Sequence, residues 1–352
     1  MRRLTREIKV GRLTVGGGAP VSVQTMANVD PHDVKALVAQ ASSCSEMGCD
    51  LIRLTVPDVE AAGALAEVKK SVAIPLVADI HFDYRCALAA IEAGTDALRL
   101  NPGNIGARDR VQAVARAAKA KGVPIRIGVN GGSLEQDLQA AALTRPQKLV
   151  ESALRHLRIL EAEGFHDVVI SAKASNVADT LETYRLLAER TDCPLHLGVT
   201  EAGTLIPGAV RNSVALGILL SEGIGDTIRV SLTAPPEKEV KVGLEILRSL
   251  GLRSPGPSIT SCPTCGRTKV DLMRVASQVE NALEILAKDG VTLPRVAVMG
   301  CVVNGPGEAK GADIALCGGS GEFVLYVRGE AVCKVTEEEA VGKVVEHVLH
   351  LR

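Results

Sequence analysis

The chain has 352 residues, a formal net charge of -1 and 46% hydrophobic residues, which is typical of a globular protein large enough for two domains. The balanced charge provides no overall field that would favour nucleic acid or an anionic membrane. The sequence has no tryptophan, three tyrosines and three phenylalanines, which argues against the aromatic platforms that bind single-stranded nucleic acid.

The amino-terminal segment, Met1 to Glu7, lacks the apolar stretch of a signal peptide, and no segment is apolar and long enough to span a bilayer. We therefore expect a cytoplasmic protein with no membrane partner. In that compartment the nine cysteines are expected to be metal ligands or small buried residues rather than disulfides.

Short apolar runs alternate with helical stretches between about residues 20 and 250. Eight such runs are predicted to be strands: Pro20–Met26, Leu51–Val56, Leu76–Ile80, Leu98–Asn101, Ile125–Asn130, Val168–Lys173, Leu195–Thr200 and Ile228–Leu232. Near-continuous apolar runs are typical of parallel strands that are buried on both faces. Eight β/α units predict an α/β fold with a closed (β/α)8 TIM barrel, and an open doubly wound sheet is the alternative.

Polar residues collect at the carboxyl ends of these runs, where barrel active sites lie. They include Arg53, Asp79, His81, Arg99, Asn101, Arg126, Asn130, Lys173, Thr200, Glu201 and Ser231. If the barrel closes, cations from four strands converge and suit a polyanionic ligand such as a diphosphate. Glu201 could balance these cations or act as a general acid–base.

The remaining histidines carry weaker signals. His81 directly follows a predicted strand and is a candidate for function, whereas His196 lies within a strand and is expected to be a satisfied interior residue. Four others lie on helices or near turns and are expected to be exposed, namely His156, His166, His347 and His350.

Glycines and prolines between about residues 251 and 258 predict a linker. The barrel domain is therefore predicted over residues 1–250 and a small α+β domain over residues 258–352. Its predicted elements are a helix at Asp271–Lys288, strands at Arg295–Met299, Ala312–Leu316 and Glu322–Val327, and a last helix near Glu337–Leu349.

The small domain also carries a candidate metal centre. Cys262 and Cys265 form a Cys-x-x-Cys pair, Cys301 supplies a third thiol, and Glu308 follows a Gly-Pro-Gly turn. Thiolate-rich sites select zinc or an iron–sulfur cluster. A structural zinc site usually has a second cysteine or histidine pair, which favours the cluster, but both remain open. Cys317 and Cys333 could compete with Glu308 as fourth ligand.

The position of this centre bears on assembly. The last barrel helix runs back from the catalytic face over roughly 20 Å, so the short linker starts at the opposite face. If the metal and the barrel mouth share one substrate, a head-to-tail homodimer is predicted, in which each small domain caps the partner's barrel.

Four stretches together resemble the signature regions of the bacterial 4-hydroxy-3-methylbut-2-enyl diphosphate synthases. They are Gly128–Glu135, Thr200–Gly203, Ser261–Arg267 and Gly300–Ala309. The similarity covers essentially the whole chain in the same order. It implies a TIM barrel followed by a small iron–sulfur domain, assembled as a homodimer.

The resemblance also implies an activity of the non-mevalonate isoprenoid pathway. Two electrons would open the ring of 2-C-methyl-D-erythritol 2,4-cyclodiphosphate and remove water, with reduced flavodoxin or ferredoxin as donor. A 4Fe–4S cluster would be held by Cys262, Cys265, Cys301 and Glu308, and Glu201 would act as acid–base. The implied substrate-binding residues are Arg53, His81, Arg99, Arg126, Asn130, Lys173 and Ser231.

Two alternatives remain. One is a barrel lyase or transferase for a phosphorylated or pterin-like substrate, with a merely structural zinc. The other is an iron–sulfur or zinc sensor that binds a partner and catalyses nothing.

Overall fold

The structure is a computed structural model that describes residues 2–253, 259–301, 303, 305, 307 and 310–351. The chain divides into two compact units, Met1–Arg253 and Ser254–Arg352. Within the described ranges, no helix has the combination of length and apolar character that crossing a bilayer requires.

The first unit begins with a β-hairpin that was not predicted from the sequence. Strands β1 (Glu7–Val10) and β2 (Leu13–Gly16) pair in antiparallel fashion. Only one face of this hairpin is apolar, and it packs against residues near the amino ends of the barrel strands. This cluster contains Ile8, Val10, Val15, Leu51, Val77, Ala97 and Val169. The hairpin thus closes the end of the barrel opposite the predicted site.

Eight parallel strands follow. They are β3 (Ser22–Met26), β4 (Leu51–Thr55), β5 (Leu76–Asp79), β6 (Ala97–Leu100), β7 (Ile125–Asn130), β8 (Val168–Lys173), β9 (His196–Leu197) and β10 (Thr227–Ile228). Their order is β8-β7-β6-β5-β4-β3-β10-β9. A parallel bridge between Ile170 and Leu195 joins the two ends of this sheet. The predicted TIM barrel is confirmed, and the alternative of an open doubly wound sheet is wrong.

Helices surround these strands. They are α1 (Val34–Glu46), α2 (Val59–Ser71), α3 (Tyr84–Glu92), α4 (Pro102–Ile105), α5 (Arg108–Lys121), α6 (Gln136–Ala140), α7 (Arg145–Ala162), α8 (Val177–Arg190), α9 (Leu205–Ser221) and α10 (Pro236–Ser249). Asp33, Asp58 and Asp83 begin α1, α2 and α3, and each carboxylate accepts a backbone N–H of the first turn. These caps fix where the loops above the barrel end.

Strands β9 and β10 are shorter than predicted. Beyond Leu197 the backbone groups bond outside the ladder: the Val199 N–H lies 3.4 Å from Asn212 Oδ1, and the Thr200 N–H donates to Ala174 O at 2.9 Å. The apolar run therefore continues after regular strand pairing has ended.

The chain leaves the first unit at the amino-terminal end of the barrel strands. Both terminal nitrogens of Arg253 lie 2.8 Å from the carboxylate of Asp50, which directly precedes β4. Helix α10 spans about 21 Å at 1.5 Å per residue. The exit point is thus about one helix length from the carboxyl ends of the strands.

Among the described residues, the second unit has a five-stranded sheet that is covered by two long helices. The strands are β11 (Ile259–Ser261), β12 (Val296–Met299), β13 (Ile314–Gly318), β14 (Phe323–Val327) and β15 (Glu330–Val335), and the helices are α11 (Leu272–Lys288) and α12 (Glu337–His350). Strands β11, β12 and β13 are parallel, whereas β14 and β15 continue the sheet in antiparallel fashion. The apolar faces of both helices pack on this sheet. The sequence predicted neither β11 nor β15.

Candidate active site

Four predicted cations lie inside the barrel, on strands β4, β6, β7 and β8. Arg99 on β6 is in register with Asp79 on β5 and with Arg126 on β7. Register partners in a parallel sheet point to the same face, so these side chains share one level of the interior. Arg53 on β4 and Lys173 on β8 extend the group. Sequence reasoning missed a fifth cation, Arg229, although it lies in the predicted run Ile228–Leu232.

Two of the cations share one buried carboxylate. Asp79 Oδ1 lies 3.1 Å from Arg99 Nη1, and Asp79 Oδ2 lies 3.5 Å from Arg53 Nε. Burial alone would raise the pKa of Asp79, but Arg53 and Arg99 outweigh it and lower the pKa below its ordinary value. Burial also lowers the pKa of Arg53 to about 10.

The fifth cation has its own carboxylate. Arg229 Nη2 lies 2.9 Å from Glu239 Oε1, and the Thr25 hydroxyl donates to Glu239 Oε2 at 2.7 Å. Arg229 Nη1 donates to the hydroxyl of Ser231 at 2.9 Å. Ser231 therefore lies beside the Arg229–Glu239 ion pair, whose two charges cancel.

Arg126 and Lys173 have no carboxylate partner among the described residues. Arg126 Nη1 donates to Gln24 Oε1 and lies 3.3 Å from His196 Nδ1. Burial and the nearby Arg229 and Arg53 lower the pKa of Lys173 well below its ordinary value.

With every group charged, five cations face two carboxylates, which leaves three positive charges. A bound anion would neutralise part of this positive charge.

Two glycines leave room for the cations. A Cβ at position 198 would lie 2.8 Å from Lys173 Nζ and 2.6 Å from the carbonyl oxygen of Arg229. A Cβ at position 128 would collide with Arg99 Nε, and the Gly128 carbonyl accepts from Arg99 Nη2 at 2.6 Å. The absence of side chains at these two positions lets the charged groups fold against the barrel wall.

The other predicted barrel residues lie at the rim. His81 is exposed just beyond β5, and Asn130 ends β7, where its Oδ1 accepts the Gly132 N–H at 3.1 Å. Glu201 is exposed and has a φ of 53°, which is unusual for a residue with a side chain. This left-handed conformation costs about 1 kcal/mol. Arg211 supports the turn by donating to Ala202 O at 2.8 Å.

His156 is buried, so the prediction that it is exposed was wrong. Its Nδ1 accepts the Gly103 N–H at 3.1 Å, and its Nε2 lies 3.6 Å from a carboxylate oxygen of Glu135. The reason is that His156 lies on the face of α7 that packs beneath the loops after β6 and β7. His166 is exposed, as expected.

In the second unit, cysteines gather at one edge of the sheet. Cys262 follows β11 and Cys301 lies two residues beyond β12, and these strands are parallel with Ser261 beside Val298. The Gly300 N–H donates to Cys262 Sγ at 3.3 Å. Hydrogen bonds from Arg267 lower the pKa of the exposed Cys265 thiol. Glu308 lies outside the described residues.

These thiols suit an iron–sulfur cluster. N–H groups that donate to cysteine sulfur tune such clusters, and a lowered thiol pKa favours the thiolate that binds iron. No three His, Cys, Asp or Glu side chains of the described segments converge as ligands of a single ion would.

The two competing cysteines differ in environment. Cys317 on β13 is buried, which raises the pKa of its thiol to about 11, and a Cβ on Gly305 would lie 2.7 Å from its Sγ. Cys333 on β15 is half-buried.

A TIM barrel with a cation-rich interior and a second unit with a thiol-bearing sheet edge define a two-domain barrel protein. Residues 5–244 match the GcpE TIM-barrel domain, and residues 258–350 match the GcpE protein C-terminal domain. The chain belongs to the GcpE family.

Curated relatives support this membership. A 4-hydroxy-3-methylbut-2-en-1-yl diphosphate synthase (flavodoxin) of Symbiobacterium thermophilum is 54% identical over 99% of this chain and 93% of that protein. A protein of the same name from Clostridium acetobutylicum is 52% identical over 99% of each chain.

A comparison with solved structures supports the fold over about 70% of the chain. Dihydropteroate synthase from Yersinia pestis has a TM-score of 0.51 and 15% identity, covering 70% of this chain and 98% of its own. At that identity the likeness concerns the fold alone.

Proposed function

We propose that this chain converts 2-C-methyl-D-erythritol 2,4-cyclodiphosphate to 4-hydroxy-3-methylbut-2-enyl diphosphate. The reaction consumes two electrons and one proton and releases one water. The relatives that match nearly the full chain carry the corresponding name. The observation that carries the proposal is that five basic side chains face only two carboxylates inside the barrel, since a cyclic diphosphate is an anion that would balance the remaining positive charge.

The barrel cations bind and orient the substrate in this proposal. Arg126 and Lys173 supply the uncompensated charge, and arginine can grip phosphate oxygens with two parallel hydrogen bonds. The other proposed contacts are Arg53, Arg99, His81, Asn130 and Ser231. An anion beside Lys173 raises the pKa of its ammonium and so stabilises the charged form that holds the substrate.

Glu201 is the proposed acid–base residue. Its side chain lies at the rim on a strained backbone, where the carboxylic acid form can donate a proton to the departing hydroxyl and leave a carboxylate. A glycine at position 201 would adopt this backbone conformation without strain. The presence of glutamate there is therefore compatible with a functional role of its side chain.

The proposed prosthetic group is a 4Fe–4S cluster held by Cys262, Cys265, Cys301 and Glu308. Such a cluster supplies the single electrons that a reductive ring opening requires, which zinc cannot do. The N–H to sulfur contact at Cys262 and the lowered pKa of Cys265 support two of the three thiolates. Reduced flavodoxin, or else ferredoxin, is the proposed electron donor.

A homodimer completes the proposal. The chain exits the barrel at the amino-terminal end of the strands, about one helix length from the cations. A partner's second unit, rather than the chain's own, would then bring electrons to each barrel. Dilution to monomers should abolish turnover while the iron stays bound.

The test is an anaerobic assay with the cyclic diphosphate and a chemical reductant, run with and without reconstituted iron and sulfide. Formation of the allylic diphosphate only in the reconstituted, reduced sample supports the proposal. Substrate consumption without iron or reductant would instead indicate a lyase or transferase with structural zinc. No consumption under any condition would indicate a sensor.

A further inference from the structure

The barrel holds its cations in two different ways. Arg53 and Arg99 share Asp79, and Arg229 pairs with Glu239, so each of these guanidinium groups has a carboxylate nearby. Arg126 is only 6% exposed, yet its hydrogen-bond acceptors are two neutral groups. They are the amide oxygen of Gln24 on β3 and the imidazole of His196 on β9.

The chemistry of arginine fixes the state of His196. A guanidinium only donates, so a hydrogen bond across the 3.3 Å to Arg126 Nη1 makes His196 Nδ1 the acceptor and leaves the proton of the neutral ring on Nε2. The Thr227 hydroxyl, which also lies 3.3 Å from Nδ1, can donate to the same nitrogen. Burial and the cations Arg126 and Lys173 lower the pKa of His196 well below its ordinary value, which keeps the ring neutral. Tyr184 anchors this strand by donating to His196 O at 2.6 Å.

Three donors around this contact remain unused. Arg126 Nη2, Gln24 Nε2 and His196 Nε2 are buried and have no acceptor among the residues that the structure describes. Buried donors are almost always paired in folded proteins. A set of donors without acceptors suits an oxygen-rich anion or the water that it displaces.

We propose that Gln24 and His196 are positioning residues that hold Arg126 through neutral acceptors and thereby leave its full charge for the diphosphate. The inference rests on the proposed function, because it requires an anionic substrate. A carboxylate in either place would hold the guanidinium equally well but would cancel the charge that the substrate needs.

The variant Gln24→Glu tests this directly, because it keeps the shape of the side chain and adds one negative charge beside Arg126. In the reconstituted enzyme we expect the affinity for inorganic diphosphate to fall at least tenfold, and KM for the cyclic diphosphate to rise by a similar factor. The thermal midpoint should stay at or above that of the wild type, because the cation group gains a counter-charge. A merely structural role cannot produce this opposition of stability and affinity.

Two further variants serve as controls. Gln24→Met removes the acceptor without adding charge, so its loss of affinity should be smaller than that of Gln24→Glu. Gln112→Glu on helix α5 adds the same charge on the outside of the barrel and should leave binding and KM unchanged. Equal or tighter diphosphate binding by Gln24→Glu than by Gln24→Met would overturn the inference.

Nitrogen NMR of histidine in the wild-type enzyme adds a measurement that does not depend on a variant folding. A neutral His196 protonated on Nε2 at pH 7 is expected, and a doubly protonated ring would overturn the inference. Wild-type enzyme that neither binds inorganic diphosphate nor consumes the cyclic diphosphate would instead overturn the proposed function.

Discussion

The barrel interior differs from the sheet edge of the second unit that carries Cys262, Cys265 and Cys301, here called the thiol edge. The difference is in the contacts that set the environment of the side chains. In the barrel, buried partners hold each other: Asp79 is 2% exposed and Glu239 3%, and both bond arginines. At the thiol edge, Cys265 is exposed and its pKa is set by local hydrogen bonds. We therefore expect the barrel to be sensitive to changes in charge and packing, whereas the second unit, with the proposed cluster bound, should be sensitive to the identity of single ligand atoms.

Loss of one thiolate should have the largest effect. Cys301→Ser replaces a soft sulfur by a poor iron ligand, so we expect loss of the visible iron–sulfur absorbance and turnover below about 1% of wild type. The barrel of this variant should still bind inorganic diphosphate, which would separate the two regions experimentally.

Cys333→Ser is the matched control for that variant. Cys333 lies on β15 in the same unit and is half-buried, so its replacement should leave iron content and turnover unchanged. Full iron content in Cys301→Ser would contradict the proposed ligand set. Iron loss in Cys333→Ser would identify Cys333 as a ligand instead.

Within the barrel, replacing a cation that has a carboxylate partner should have a different effect from replacing a cation that has none among the described residues. Lys173→Met removes a charge with no described carboxylate partner, so we expect KM to rise roughly a hundredfold with little loss of stability. Arg229→Met leaves Glu239 buried without its partner and should cost about 3 kcal/mol of unfolding free energy. Steady-state kinetics and chemical denaturation measure the two effects, and equal stability losses would contradict the distinction.

The sequence predicts the barrel well because parallel strands that are buried on both faces read as unbroken apolar runs. Leu76–Asp79, for example, is buried at every position. Hairpin β1–β2 was not predicted because each strand has four residues and only one apolar face. Strand β15 was not predicted because its side chains are mostly exposed. Short, one-sided strands give little signal before their packing partners are known.

The candidate site divides in a similar way. The cysteine spacing is local, so sequence alone indicates a metal centre. The contacts of Arg126 join residues that are 102 and 70 positions apart, and no local pattern predicts that Gln24 and His196 meet there. The burial of His156 on α7 likewise depends on the position of Gly103 on α4, which is 53 residues away in sequence.

A smaller effect is expected from crowding the ammonium of Lys173. In Gly198→Ala the new methyl would lie 2.6 Å from the carbonyl oxygen of Arg229 and 2.8 Å from Lys173 Nζ, so the strand must shift. We expect KM to rise about tenfold and stability to fall by about 1–3 kcal/mol. Gly217→Ala in α9 is the control, because a Cβ there meets nothing within 4 Å and should stabilise the helix. An unchanged KM in Gly198→Ala would show that the ammonium tolerates displacement.

The smallest effect is expected from removing a helix capping box, a feature that occurs in both units. Thr144 begins α7 and Thr336 begins α12, and each forms a capping box with the residue three positions later. Replacing either threonine by alanine should cost about 1 kcal/mol and leave turnover unchanged. Because a small unit unfolds with less entropy, this loss should lower the melting transition of the second unit by about 4–8 °C and that of the barrel by about 2–4 °C. Equal shifts in differential scanning calorimetry would mean that the two units unfold as one cooperative body.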